Sequence, residues 1–205
     1  MNLFERLKTN KTIPPLLNKR GHFVVDDSIG ISLLTSLAYK TDGGQYLLIA
    51  SNLYKAQKLY GLISSFVGQD NVLLFPNDEL IRAETLAESK EMVAHRLFVM
   101  NELLHNRAKI VIANIASATR YLPDPKFFAT KTKELKVGQK YEIQELKKFL
   151  IKSGYSLVNK IDQSLQFAVR GDIFDIFSVN NDKPIRIEFF DDEIESIRYF
   201  DIATQ

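Results

Sequence analysis

The chain has no cysteine. Disulfides and thiol chemistry are therefore excluded, and the composition fits a reducing cytosol. It also lacks an apolar run of signal-peptide length: the N-terminus, MNLFERLKTNKTI, is broken by charges from Glu5 onward. No later segment is long and apolar enough to span a membrane, so a cytoplasmic location is the default expectation. Charge of one sign is not in excess. The 27 Lys and Arg against 25 Asp and Glu leave a net charge of +2, which argues against a nucleic-acid grip spread over the whole surface. Internal repeats and low-complexity tracts are missing too. What is present is ordinary: 205 residues, 45% hydrophobic and 25% charged, enough for one large or two small domains with a sizeable core.

The clearest boundary is Tyr121-Leu122-Pro123-Asp124-Pro125, where two prolines around an Asp stop any regular element. It divides the chain into residues 1–121 and 122–205. Before it, helix and strand alternate. Met1 to Lys8 and Ile13 to Lys19 read as short helices, and His22 to Val25 as a short strand. Ser28 to Lys40 has helical apolar spacing, with Gly43-Gly44 as a stop. Tyr46 to Ala50 is a continuous apolar run, as in a buried parallel strand. Ser51 is placed to cap a helix over 53–67. Val72 to Phe75 is a strand closed by Pro76, Ser89 to His105 an amphipathic helix, and Ile110 to Ala113 a further buried strand. This alternation predicts a parallel sheet with crossover helices. After the boundary, Thr130 to Lys136 reads as a strand and Ile143 to Ser153 as a helix with Ile143, Leu146, Phe149 and Leu150 on one side. Tyr155 to Val158 and three further strands follow. The expectation is an α+β module, one helix packed on a small antiparallel sheet.

A parallel α/β layer invites a search for a phosphate loop between its first strand and the next helix. Such a loop needs glycines to wrap phosphates, a Lys for the outer phosphates and a Ser or Thr for magnesium. Here the text is Val25-Asp26-Asp27-Ser28-Ile29-Gly30, with one Gly, no Lys and two carboxylates that repel phosphate. A helix start capped by Asp27 or Ser28 is the better reading. Glu91 and His95 lie one helical turn apart but lack a third metal ligand, and His22 and His105 are scattered. Asp191-Asp192-Glu193 with Glu195 could hold a metal or act as an acid/base pair, but reads better as a solvated hairpin turn. Asn77 to Glu84 follows a strand end, where open α/β sheets bind ligands, and reads as a connector. Lys131, Lys133, Lys136, Lys140, Lys147 and Lys148 make the second half locally basic, which without interleaved aromatics reads as a solvated face rather than a DNA contact.

The informative stretch runs from Phe167 to Asp201. Phe167, Val169, Ile173, Phe174, Ile176 and Phe177 supply β-branched and aromatic bulk, interrupted by Arg170, Gly171 and Asp175. After a turn at Asn180 to Pro184, Ile185 to Phe190 alternates with period two. Ile185, Ile187 and Phe189 share one face; Arg186, Glu188 and Phe190 share the other. An aromatic beside an Arg on a solvent face suits a protein-binding surface.

FAVRGDIFDIF followed by PIRIEFFDDEIESIRYFD resembles the N-terminal region of bacterial transcription-repair coupling factors, the Mfd family, which is itself similar to the excision-repair protein UvrB. LLFPNDEL, LKVGQKYEIQEL and the final DIATQ match more weakly. UvrB carries an intact phosphate loop where this chain has Asp26, Asp27, Ser28 and Gly30, so the decayed loop points to the coupling factors. The resemblance implies that residues 1–121 are a degenerate helicase-like layer without ATP chemistry, and 122–205 a small module that binds UvrA. In the family two Arg and a Phe make that contact; here they fall at Arg170, Arg186 and Phe190. The alternatives are a core position for Phe190 and, for the Arg residues, local ion pairs with Glu188 or Asp175. Family members are several times longer, and the resemblance implies that this chain is a piece ending before domain 1b. ATP and magnesium, RNA polymerase and double-stranded DNA would then belong to parts outside it, and the piece itself would be no enzyme and bind no cofactor or metal. An exposed Phe190 between charges is expected to be covered by another part of the longer protein. The competing functions are a UvrB-type nucleotide-binding helicase fragment and a DNA-contacting module using the Lys-rich face.

Overall fold

A computed structural model describes residues 3–8, 24–25, 27–76, 90–105 and 109–204. The chain forms two compact units. One is Met1–Ala87 with His105–Tyr121; the other is Glu88–Leu104 with Leu122–Gln205. Residues 88–104, which the division at 121/122 leaves in the first part, count with the second unit.

In the first unit, α1 (Leu3–Lys8) and α2 (Ser28–Asp42) precede β1 (Tyr46–Ala50), α3 (Leu53–Val67) and β2 (Val72–Phe75). The chain then runs through α4 (Lys90–Leu104), which counts with the second unit, and returns at β3 (Ile110–Asn114) and the single turn α5 (Ile115–Ala118). Helix α2 starts where Asp27 Oδ1 accepts from the Gly30 amide at 2.6 Å, and stops at Gly43, whose left-handed φ of 63° needs no Cβ. The cap of α3 is Asn52, not Ser51: its side chain accepts from the Lys55 amide. Ala56, Leu59 and Ile63, spaced three and four apart, form the buried stripe of α3.

The three strands are parallel in the order β1-β3-β2. This order explains a departure from expectation. Strand β3 sits between two neighbours and is buried at all five positions. Strand β1 is equally apolar but pairs with β3 alone among the described residues, and its Leu47 and Ile49 are exposed while Ala50 is buried. An apolar run therefore marks a strand without fixing whether both faces are covered. His22 and Phe23 of the first expected strand, the expected helix at 13–19 and the segment 77–89 lie outside the described residues.

In the second unit, α6 (Pro125–Ala129) occupies part of the expected connector. Asp124 caps it, accepting from the Lys126 and Phe127 amides, and Pro125 takes the first helical position. The expected strand at 130–136 is not formed: a turn follows α6, and residues 132–136 have no regular structure. Helix α7 (Ile143–Lys152) packs Leu146 and Leu150 onto a five-stranded sheet. Its strands are β4 (Ser156–Leu157), β5 (Gln166–Arg170), β6 (Ile173–Phe177), β7 (Ile185–Phe190) and β8 (Glu193–Tyr199), in sequential order.

Two expectations need correction here. The sheet is mixed rather than antiparallel, because β4 runs parallel to β5. And the stretch from Phe167 holds four strands, not three: Gly171, at φ 59°, turns the chain between β5 and β6. A left-handed glycine inside an apolar run is the turn signal that splits it.

Phe167, Phe174, Ile187 and Ile194 are fully buried under α7, with the Phe167 and Phe174 rings stacked 5.4 Å apart. Removing the Phe174 ring should cost about 3–5 kcal/mol. Removing Phe190, on the open face, should change stability by less than about 0.5 kcal/mol. Urea denaturation of Phe174→Ala and Phe190→Ala, followed through amide exchange in β5–β7, measures both.

Candidate functional site

The turn searched for a phosphate loop is a capped helix start. Asp26 lies outside the described residues, and Ser28 opens α2. The Gly30 amide, which a phosphate would need, is already bonded to the Asp27 carboxylate. Gly30 has a packing reason: a Cβ there would come within 2.5 Å of Val25 Cγ1. His95 and Glu91 are exposed on α4, and no group of three potential metal ligands exists among the described residues. His22 and the 77–84 connector lie outside them. No described helix is long and apolar enough to cross a membrane.

Four of the six lysines singled out in the second half have local partners. Lys131 lies over the Phe127 ring, and Lys133 sits about equally near the Tyr141 and Phe149 rings. Lys136 pairs with Glu134 and Lys140 with Asp192. The Asp192 hydrogen bond raises the Lys140 pKa. The acidic cluster is a hairpin turn, as its sequence suggests: Asp191 and Asp192 join β7 to β8, with Asp191 at φ 59°. Residues 138–141 secure that hairpin through a bridge between Lys140 and Glu193 and a 2.7 Å bond from the Tyr141 amide to the Asp192 carbonyl.

The side of the second sheet opposite α7 is where the singled-out residues gather. Strand register places Ala168, Asp175, Arg186 and Arg198 in one cross-strand row, and Arg170, Ile173, Glu188 and Ser196 in the next. Residues opposite one another project to the same face. At the next pair β8 skips Glu195, because Phe189 faces Ile194 and Phe190 faces Glu193. The bulge lies on β8, so β7 keeps its alternation and Phe190 follows Arg186 and Glu188 on the open face. Arg170, Arg186 and Phe190 thus share one surface.

Their surroundings differ. Phe190 is 76% exposed, so the core alternative for it does not hold. Arg170 is exposed, and its Nη2 donates to the Asn159 carbonyl at 2.7 Å. Arg186 is mostly covered and makes the local ion pair with Asp175: Nε donates to Oδ1 at 2.7 Å and Nη2 to Oδ2 at 2.8 Å. The Asp175 hydrogen bond raises the Arg186 pKa further, and the Phe200 ring lies 4.9 Å from the guanidinium carbon. Glu188 accepts from the Ser196 hydroxyl at 2.7 Å and from both terminal nitrogens of Arg198. Arg198, Ser196 and Phe200 escaped the sequence reading, since nothing local in β8 signals that they face β7. Asp175 stood out as a charge inside an apolar strand, but its partner lies 11 residues away.

Comparison with known proteins agrees with this unit. Residues 134–205 match the family model described as the UvrB interaction domain. The chain as a whole is similar to the transcription-repair-coupling factor of Bacillus subtilis, 35% identical over 174 residues, 85% of this chain and 15% of that protein. It is also similar to the Staphylococcus haemolyticus protein of the same name, 30% identical over 82% of this chain, and to the Staphylococcus aureus one, at 29% over the same share. The resemblance to the N-terminal, UvrB-like region of coupling factors carried by FAVRGDIFDIF and PIRIEFFDDEIESIRYFD therefore holds. The chain spans about 15% of the length of the relatives it matches. Every residue of the polar face named above falls inside the matched segment, residues 134–205.

The Glu188 carboxyl is held below its ordinary range, first by the Ser196 hydroxyl and then by Arg198, against a smaller opposing effect of desolvation than the two together. A carboxylate whose folded pKa is depressed stabilises the fold above its unfolded pKa, and that contribution is lost as pH falls through the folded value. Ser196→Ala should move the Glu188 pKa upward, toward that of a free carboxylate. A side-chain carbonyl NMR titration of wild type and variant measures the direction.

Proposed function

We propose that this chain is the UvrA-recruiting part of a transcription-repair coupling factor, and that the open face of the UvrB interaction domain is the contact surface. One observation carries the proposal: Phe190 stands 76% exposed on the same sheet face as Arg170 and Arg186. A single exposed aromatic is common on a protein surface; what favours a partner is that Phe190 lies beside two Arg on one sheet face. Aromatic and Arg side chains are the residues that most often dominate binding energy. Phe190 is the anchor, Arg170 an exposed cation, and Arg186 a cation held in one orientation by Asp175. The first unit is a helicase-like layer whose nucleotide site has been replaced by a capped helix, so the chain binds no ATP. Translocation on DNA and contact with RNA polymerase belong to the longer protein.

The DNA-contacting reading has less support, because Lys131, Lys133, Lys136 and Lys140 are engaged by rings and carboxylates. A UvrB-type nucleotide site is opposed by Asp27, which holds the Gly30 amide.

Calorimetric titration of the 205-residue chain with UvrA tests the proposal. Phe190→Ala should lose about 2 kcal/mol or more of binding energy, as at a hot spot, and Arg170→Ala at least about 1 kcal/mol. Binding unchanged by both would move the interface off this face, and no binding by the wild-type chain would overturn recruitment itself. Titration with ATP and magnesium should give no heat beyond dilution; saturable binding would restore the nucleotide reading.

A further inference from the structure

The Arg186–Asp175 pair is a peculiar thing to find on a binding face. Asp175 is 2% exposed, between fully buried Phe174 and buried Ile176 on β6. A buried carboxylate is expensive to desolvate, and a well-packed apolar residue in its place often gives an equal or more stable fold. Stability alone is therefore a poor account of why a strand this apolar carries an aspartate at its centre.

The row it occupies suggests what it does. Ala168, on one side of Asp175, is small and buried; Arg186 is on the other. Beyond Arg186 in the same row stands Arg198, a like charge directly across the strand pair. Such juxtaposition is unfavourable unless each charge has its own counterion. Here each has one: Asp175 for Arg186 and Glu188 for Arg198. Without Asp175, the nearest carboxylate on the same face of β7 is Glu188, two residues on. Arg186 would then turn along the strand and compete with Arg198 and Ser196 for it.

Asp175 grips Arg186 by Nε and Nη2. The Phe200 ring lies against the guanidinium, and Nη1 donates to nothing among the described residues. The fork is thus held by one edge, and 17% of the side chain remains accessible. Arg186 meets a partner with its charge already balanced and its direction set. Arg170, whose bonded oxygen is the neutral Asn159 carbonyl, has no such counterion among the described residues.

We infer that Asp175 is a positioning residue: through a bidentate grip it aims the Nη1 edge of Arg186 at a carbonyl or carboxylate of the partner. On this view Arg186 recognises by geometry, while Arg170 supplies the uncompensated positive charge. The inference rests on the proposed UvrA contact and names a residue that the contact itself does not include.

The test is a double-mutant cycle on the 205-residue chain, titrated with UvrA, using Asp175→Asn, Arg186→Ala and the double variant. Asp175→Asn keeps the side-chain shape, and its folding is checked by the amide spectrum. Its affinity should fall about tenfold, within the range for coupled neighbours. Added to Arg186→Ala, it should cost nothing further, whereas added to Arg170→Ala it should cost the same tenfold. The Arg186 Nε–H resonance should be protected from exchange in wild type and lost in Asp175→Asn. Equal losses with and without Arg186 would mean that Asp175 acts only through the fold, and would overturn the inference. So would undiminished binding by folded Asp175→Asn. Failure of the wild-type chain to bind UvrA would instead remove the proposed contact, and the inference with it.

Discussion

Along β7 the alternation of side chains puts Ile187 and Phe189 into the core while Arg186, Glu188 and Phe190 stand on the opposite face. A slip of one residue would bury two charges and expose the Ile and Phe pair under α7. Burial energy therefore sets the register, and the polar face inherits it. The bulge at Glu195 lies on β8, where it lets the hairpin close without disturbing β7. Core and surface of the second unit are in this sense one constraint. The stacked Phe167 and Phe174 rings hold β5 against β6. This holds Arg170 in the row beside that of Arg186.

The first unit follows a different economy. Its central strand, β3, is buried on both faces between two parallel neighbours, and its helices are closed by local caps at Asp27, Gly43 and Asn52. Where a nucleotide-binding relative would present open amides, this chain spends the Gly30 amide on a carboxylate. That is a sound way to begin a helix and a poor way to hold phosphate. The unit is a parallel α/β layer in which the turn before α2 serves as a helix cap.

How far the sequence could be read depended on how far apart the deciding residues lie. The capped start of α2, the stop at Gly43, the helix over 143–152 and the acidic hairpin at 191–192 all rest on contacts within a few residues, and all were legible. The expected strand at 130–136 did not form: its one apolar residue, Leu135, gives no alternating face to bury, and the segment is a turn and an irregular stretch after the helix that Asp124 and Pro125 start. Splitting of the Phe167 stretch at Gly171 was likewise written in the sequence, as a glycine needing positive φ. The exposed face of β1 was not, and neither was the order of the strands, which depends on β3 arriving between β1 and β2 from more than 30 residues further along.

The candidate site divides on the same line. Period-two spacing alone determined that Arg186 and Phe190 share a face, since a strand's geometry leaves no other choice. Resemblance in the two matched segments pointed to Arg170 as their companion. Only the tertiary structure decided that Phe190 is open to solvent, that Arg186 is clamped rather than free, and that Arg198, Ser196 and Phe200 belong to its surroundings. Those outcomes depend on which strand pairs with which, and in what register. Strand pairing is a long-range bargain struck by the whole core, and residues 11 apart carry no mark of it until the chain has folded.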